Sequence, residues 1–193
     1  MKPLSRPAHL GLFVAFAALM IATRFHHFGD ALHLPDASMA LFFLGGLYLR
    51  RHWQFAAFAA LAVAIDWIAI EHAGVSDFCV TPAYSFLLPA YAVLWYGGRW
   101  AAGRLADRWV SMPGVAGVAL ACASLSFAIS NGAFYWLGGR YANPHFAEYL
   151  ARAWQWGPLF VRTTMAYVVV ALVVHVLVAR ALAARNRRGA ASA

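Results

Sequence analysis

The sequence predicts an all-α membrane protein: a six-transmembrane-helix bundle with both termini in the cytoplasm, forming one domain over residues 1–193. Three observations carry this. Of the 193 residues, 63% are hydrophobic and only 11% are charged, so a bilayer must be part of the solvent. Apolar runs recur with only short polar breaks between them, leaving no room for a separate soluble domain. The Lys and Arg residues fall in alternate breaks, so the net charge of +8 reads as orientation rather than as a nucleic-acid surface.

A spanning helix needs about 20 apolar residues at 1.5 Å rise each. The expected spans are 10–27, 37–50, 53–71, 83–97, 113–137 and 158–180. The third, fifth and sixth meet the length requirement well. The first, second and fourth are short and could be re-entrant, so the count needs an independent test. If every run spans, Lys2, Arg6, Arg50, Arg51, Arg99, Arg104, Arg108, Arg180, Arg185, Arg187 and Arg188 share one side, and Arg24, Arg140, Arg152 and Arg162 remain on the other. Such a split supports six spans with the rich side cytoplasmic. Trp53, Trp95, Trp100, Trp109 and Trp156 at the run ends fit interfacial belts. Lys2 and Arg6 ahead of an apolar run ending at Ala22 also have the layout of a cleavable signal peptide, whose removal would leave five spans. The polybasic stretch Arg185 to Arg188 reads as a cytoplasmic anchor beside anionic lipid.

With this orientation the unusual polar residues gather on the non-cytoplasmic side, which points to a pocket open to that face. Asp66 is the strongest intramembrane signal, about one and a half turns below Glu71 on the third span. A carboxylate there costs several kcal/mol unless paired or hydrated. Arg162, about one turn below Pro158 on the sixth span, lies at comparable depth. A structural Asp66–Arg162 pair and a ligand-facing Asp66 are the two readings. His26 and His27 close the first span, but adjacent helical positions do not share a face, so at least one of them is expected to be an ordinary interfacial residue. No HExxH spacing supports a zinc site.

The two cysteines differ. Cys122 lies mid-span among small residues and reads as helix packing. It is fifteen residues from Leu137, about 22 Å of helix, too deep to bridge a loop cysteine. Cys79 is then an unpaired thiol on an oxidising face, a liability unless used or shielded. Its setting, Asp77-Phe78-Cys79-Val80-Thr81-Pro82-Ala83-Tyr84, has an ordered-loop character: Pro82 keeps the preceding chain from being helical, and Phe78 and Tyr84 bring aromatic surface beside the sulfur. A thiolate is a soft, strong ligand for cobalt, copper or iron. One Cys without a second ligand does not build a metal site, but it suits one axial position on a metal already held by a macrocycle.

Together with Arg24-Phe25-His26-His27, Leu34-Pro35-Asp36-Ala37-Ser38-Met39-Ala40 and Asp66-Trp67, that segment resembles a known family. The chain is similar, over nearly its whole length, to the small cobalamin-specific membrane proteins of the BtuM group, which are related to the S-components of energy-coupling factor (ECF) transporters. The resemblance implies an ECF S-component type bundle in the bacterial inner membrane, with a corrinoid pocket open to the periplasm. It implies that Cys79 binds cobalt axially, in place of the vitamin's own base. By the same carry-over His27, Asp66, Tyr84 and Arg152 line or support the pocket, and Phe78 is expected to bind substrate with them. Cobalamin is the substrate, and the protein has no cofactor of its own. An electron-rich axial thiolate would weaken the ligand on the opposite face and favour reduction of the metal, so bound cyanocobalamin is expected to lose cyanide during capture.

Gly11 with Ala15, and Ala18 with Ala22, have the small-xxx-small spacing used by such proteins to dock a coupling subunit, although in an Ala-rich span it serves ordinary packing as readily. No nucleotide-binding motif occurs, so energised transport would need an ECF coupling module, a transmembrane subunit plus ATPases. Uptake by the chain alone is the alternative. The competing functional reading is a haem-binding membrane redox protein with Cys79 or an outer His as axial ligand. A paired-His cytochrome would need two imidazoles at matching depth, whereas His175 is the one His well inside a span.

Overall fold

The computed structural model describes residues 5–24, 34–104 and 111–191. Among these residues six α-helices run in sequence: α1 (Arg6–Arg24), α2 (Ser38–Tyr48), α3 (His52–Ala73), α4 (Leu87–Arg104), α5 (Met112–Leu137) and α6 (Phe146–Ala191). Two 3-10 turns, Asp77–Cys79 and Pro82–Phe86, lie between α3 and α4, and no strand occurs among the described residues. Four helices among the described residues are long and apolar enough to cross a membrane: α1, α3, α5 and the Phe146–Arg188 part of α6.

The two helices that fall short do so for different reasons. α2 has 11 residues, about 16 Å of rise against the roughly 30 Å of a hydrocarbon core. It is apolar all round because it is enclosed all round: Leu41, Phe42, Phe43, Leu44 and Leu47 are all buried. α4 carries Arg99 and Arg104 in its last two turns. Gly97 and Gly98, where the sequence suggested an end, continue the helix and serve packing instead. A Cβ on Gly98 would overlap the Phe43 carbonyl oxygen of α2, one on Gly46 would overlap that of Trp95, and one on Gly97 would overlap the Cys122 sulfur of α5. These are small-residue contacts that let backbones touch. Cys122 is thus a packing residue, and both cysteines are free.

α6 begins well before the expected span, at Phe146 rather than at 158. Pro158 was the natural start, since Pro is at home in a first turn. The helix runs through it because Phe146 to Gly157 is rich in helix formers, and an internal Pro removes only one backbone donor. The outward faces of α1, α3 and α6 expose Leu10, Val14, Val63, Trp67, Val170 and Val173, an apolar surface suited to lipid.

The chain alternates direction, so α1, α3 and α5 end where α2, α4 and α6 begin. Thr23 Oγ1 accepts from the Ala37 amide at 3.2 Å, joining the end of α1 to the start of α2. Phe42 stacks on Tyr91 at 4.1 Å, setting α2 against α4 beneath the end that carries Cys79.

Candidate functional site

A cavity of about 460 Å³ opens at the Cys79 end. One wall is charged and aromatic, with Arg24, Asp36, Asp66, Tyr84 and Tyr91; the facing wall, from α5 and α6, presents Ser126, Ser130, Asn131, Thr163 and Thr164 between Phe127, Phe134 and Phe160. Leu34, Pro35, Met39 and Leu87 add apolar surface. Mixed lining of this kind, with a few polar groups in a mostly apolar concavity, is typical of small-molecule sites.

The charged wall centres on Arg24, the last residue of α1, whose side chain is only 8% exposed. Its Nε donates to Asp66 Oδ1 at 2.7 Å and its Nη2 to Asp66 Oδ2, forming a bidentate pair across 42 residues. Nη1 donates to the Tyr91 hydroxyl at 2.8 Å and to Ser38 Oγ at 3.1 Å, with Asp36 Oδ2 3.6 Å away. Tyr84 completes the set by donating its hydroxyl hydrogen to Asp66 Oδ2 at 2.6 Å. A cation at a helix C-terminus is favoured by the helix dipole, and here it also joins α1, α2, α3, α4 and the turn after Cys79.

Asp66 therefore pairs with Arg24, not with Arg162. Arg162 is exposed on α6, one residue away from the positions that face the cavity, Leu159, Phe160, Thr163 and Thr164. Depth along a span said nothing about which face of the helix carries the guanidinium. Arg24 itself went unnoticed as a site residue, although its signal was present: a lone Arg at the end of an apolar run, on the side otherwise poor in positive charge. The hydroxyl and amide groups of α5 and α6 were also missed, because small polar residues in a span read as packing.

Cys79 is exposed and belongs to the cavity lining, which places its sulfur at the mouth. The loop holding it is ordered locally. Ser76 Oγ accepts from the Phe78 amide at 3.2 Å, Val80 N donates to Asp77 O at 2.7 Å, and Tyr84 N donates to Thr81 O at 2.8 Å. Arg140, just past α5, donates from Nε to the Phe78 carbonyl at 3.1 Å, with its guanidinium 5.0 Å over the Phe78 ring. Phe78 packs 5.7 Å from Phe134 and is absent from the cavity lining, so it anchors the loop. Of the other expected site residues, Asp66 and Tyr84 line the cavity beside Cys79. Arg152 does not; its guanidinium lies 4.8 Å over the ring of Tyr141. His27 lies outside the described residues.

Burial, then the negative charge of Asp66, hold the Cys79 thiol above its ordinary range, and Arg140 draws it part of the way back. The free protein thus carries a neutral thiol at neutral pH. With Cys122 replaced by Ser, alkylation of Cys79 is expected to accelerate about tenfold per pH unit through neutral pH, following the thiolate fraction. Arg140→Gln should move the plateau to higher pH, and a rate already flat at neutral pH would contradict the raised value.

Among the described residues no three His, Cys, Asp or Glu side chains gather to hold a metal ion. What Cys79 can supply is one soft donor at the mouth of a cavity. Fold and cavity together define a multi-helix protein compatible with multi-pass membrane insertion, carrying a small-molecule-sized cavity at one end. No protein-family model matches the chain, and no curated protein sequence matches it.

Proposed function

We propose that this protein binds cobalamin and carries it across the bacterial inner membrane, as its resemblance to the BtuM group implies, with the Cys79 thiolate as axial ligand to cobalt. The observation that carries the reading is the position of Cys79: a single soft donor at the mouth of a mixed polar and apolar cavity. A corrin already holds cobalt by four equatorial nitrogens, so one axial donor is all that the protein need provide. The cavity is smaller than a whole corrinoid, so this reading seats the macrocycle at the mouth with the remainder outside.

In this proposal all six helices span, both termini are cytoplasmic and the cavity faces the periplasm. α2 and α4, short or charged as they are, cross within the bundle rather than against lipid. Gly11, Ala15 and Ala18 are exposed on α1, leaving a surface on which a coupling subunit could dock. Because the free thiol is protonated, ligation releases a proton, and corrinoid affinity rises with pH. When cyanocobalamin is the ligand, the thiolate donates an electron pair to cobalt and cyanide leaves from the opposite face with its own bonding pair, so no electron is transferred in that step.

Purified protein mixed with cyanocobalamin is expected to change the visible spectrum of the vitamin, and Cys79→Ser to abolish the change. In a strain lacking other cobalamin importers, wild type should restore vitamin-dependent growth and Cys79→Ala should not. An unchanged spectrum, or one that changes equally in the Ser variant, would sink the proposal, and a haem spectrum in the isolated protein would favour the redox reading.

A further inference from the structure

We propose that the end of the bundle opposite Cys79 binds the phosphate of an anionic phospholipid, between the α2–α3 turn and the last turns of α4. The turn is tight: Arg50 takes φ +67, the left-handed region that non-glycine residues rarely enter. Its own Nε donates to the Leu47 carbonyl at 3.2 Å. Its carbonyl accepts from Arg99 Nη1 of α4 at 3.0 Å, and the same Nη1 donates to His52 Nε2 at 2.8 Å. A guanidinium only donates, so His52 Nε2 is the acceptor and Nδ1 is left as the donor. That Nδ1 donates to the Tyr96 hydroxyl at 3.0 Å.

The result is an arginine fixed at one nitrogen, with Nη2 and Nε making no hydrogen bond to the described residues. A guanidinium held this way is preorganised to grip a phosphate through its remaining donors. Arg51 lies at the same turn, and Arg104 stacks 4.0 Å over the Trp100 ring one turn beyond Arg99. No carboxylate balances them among the described residues. Asp36 and Asp66 line the cavity, and Glu71, Asp77 and Glu148 lie on or beside the elements at the Cys79 end.

The surroundings select a lipid over a free anion. Trp53, Tyr96 and Trp100 are 56%, 42% and 51% exposed and ring the cluster, as aromatic side chains do at headgroup level. Phe55 lies 5.9 Å from Tyr96, and α3 continues away from the cluster with Val63 and Trp67 exposed, a surface for acyl chains. An anion tethered to hydrocarbon satisfies both parts. A zwitterionic headgroup brings its own cation to a site already cationic, and is disfavoured.

The test uses the full chain in detergent micelles doped with phosphatidylglycerol, with phosphatidylcholine, or with inorganic phosphate at matched concentration, read by native mass spectrometry and thermal unfolding. Phosphatidylglycerol alone should remain bound and raise the melting temperature. Arg51→Gln with Arg99→Gln should cut its retention at least tenfold, while Arg187→Gln with Arg188→Gln leaves it intact. Equal retention of both lipids, the same stabilisation by inorganic phosphate, or loss of binding only in the Arg187 and Arg188 variant would each overturn the proposal. Both variants are exposed-surface changes, and a monodisperse elution profile checks that each is folded.

Discussion

Arg24→Met is expected to destabilise the protein by about 3–5 kcal/mol, because it strands the Asp66 carboxylate inside the bundle without its cation. Asp66→Leu should cost a similar amount by stranding the guanidinium, which is the more deeply buried partner at 8% exposure against 19%. The two effects are not additive. Removing both charges together, as Arg24→Met with Asp66→Leu, should recover much of the loss, since replacing a buried pair by apolar groups is often close to neutral. Tyr84→Phe separates the network from the Cys79 loop, removing one hydrogen bond to Asp66 for about 1 kcal/mol. Thermal unfolding in detergent across these four variants measures the cycle. If the double variant is as unstable as the sum of the singles, the pair is not the unit described here.

The second large effect concerns the α2–α4 contact. Gly46→Ala and Gly98→Ala each place a Cβ on a backbone carbonyl of the facing helix, which no rotamer change relieves. The helices must separate, and the cost is expected to be about 3 kcal/mol or more, at the upper end for overpacking. Gly117→Ala on α5 is the control, because a Cβ there meets nothing within 4 Å. Its effect should have the opposite sign, a gain of up to about 1 kcal/mol from helix propensity alone. Comparable losses at all three positions would mean that close approach is not what these glycines provide.

These residues also show where a sequence stops being informative. α3 and α5 begin and end within about two residues of where hydropathy put them. Their bounds follow from the solvent each residue prefers, a local property. α4 was misjudged at Gly97 because a glycine can end a helix or shape a contact, and only the neighbouring helix decides which; α6 was misjudged at Pro158 because the helix formers ahead of it, from Phe146 to Gly157, carry the helix through the proline. The Cys79 loop was legible: Pro82 and the flanking aromatics act over a few residues, and Asp66, Cys79 and Tyr84 do share one cavity.

By itself, then, the sequence determined that the chain is helical and apolar enough for several membrane crossings, that Cys79 is unpaired, and that Asp66 needs a partner. Only the tertiary structure decided that the partner is Arg24, that Arg152 and Phe78 stand off the cavity, and that hydroxyls from α5 and α6 face the charged wall. Hydropathy measures how deep a residue lies, whereas partner choice depends on the rotation of each helix about its own axis. That rotation is set by packing between segments tens of residues apart, as in the 42-residue span from Arg24 to Asp66.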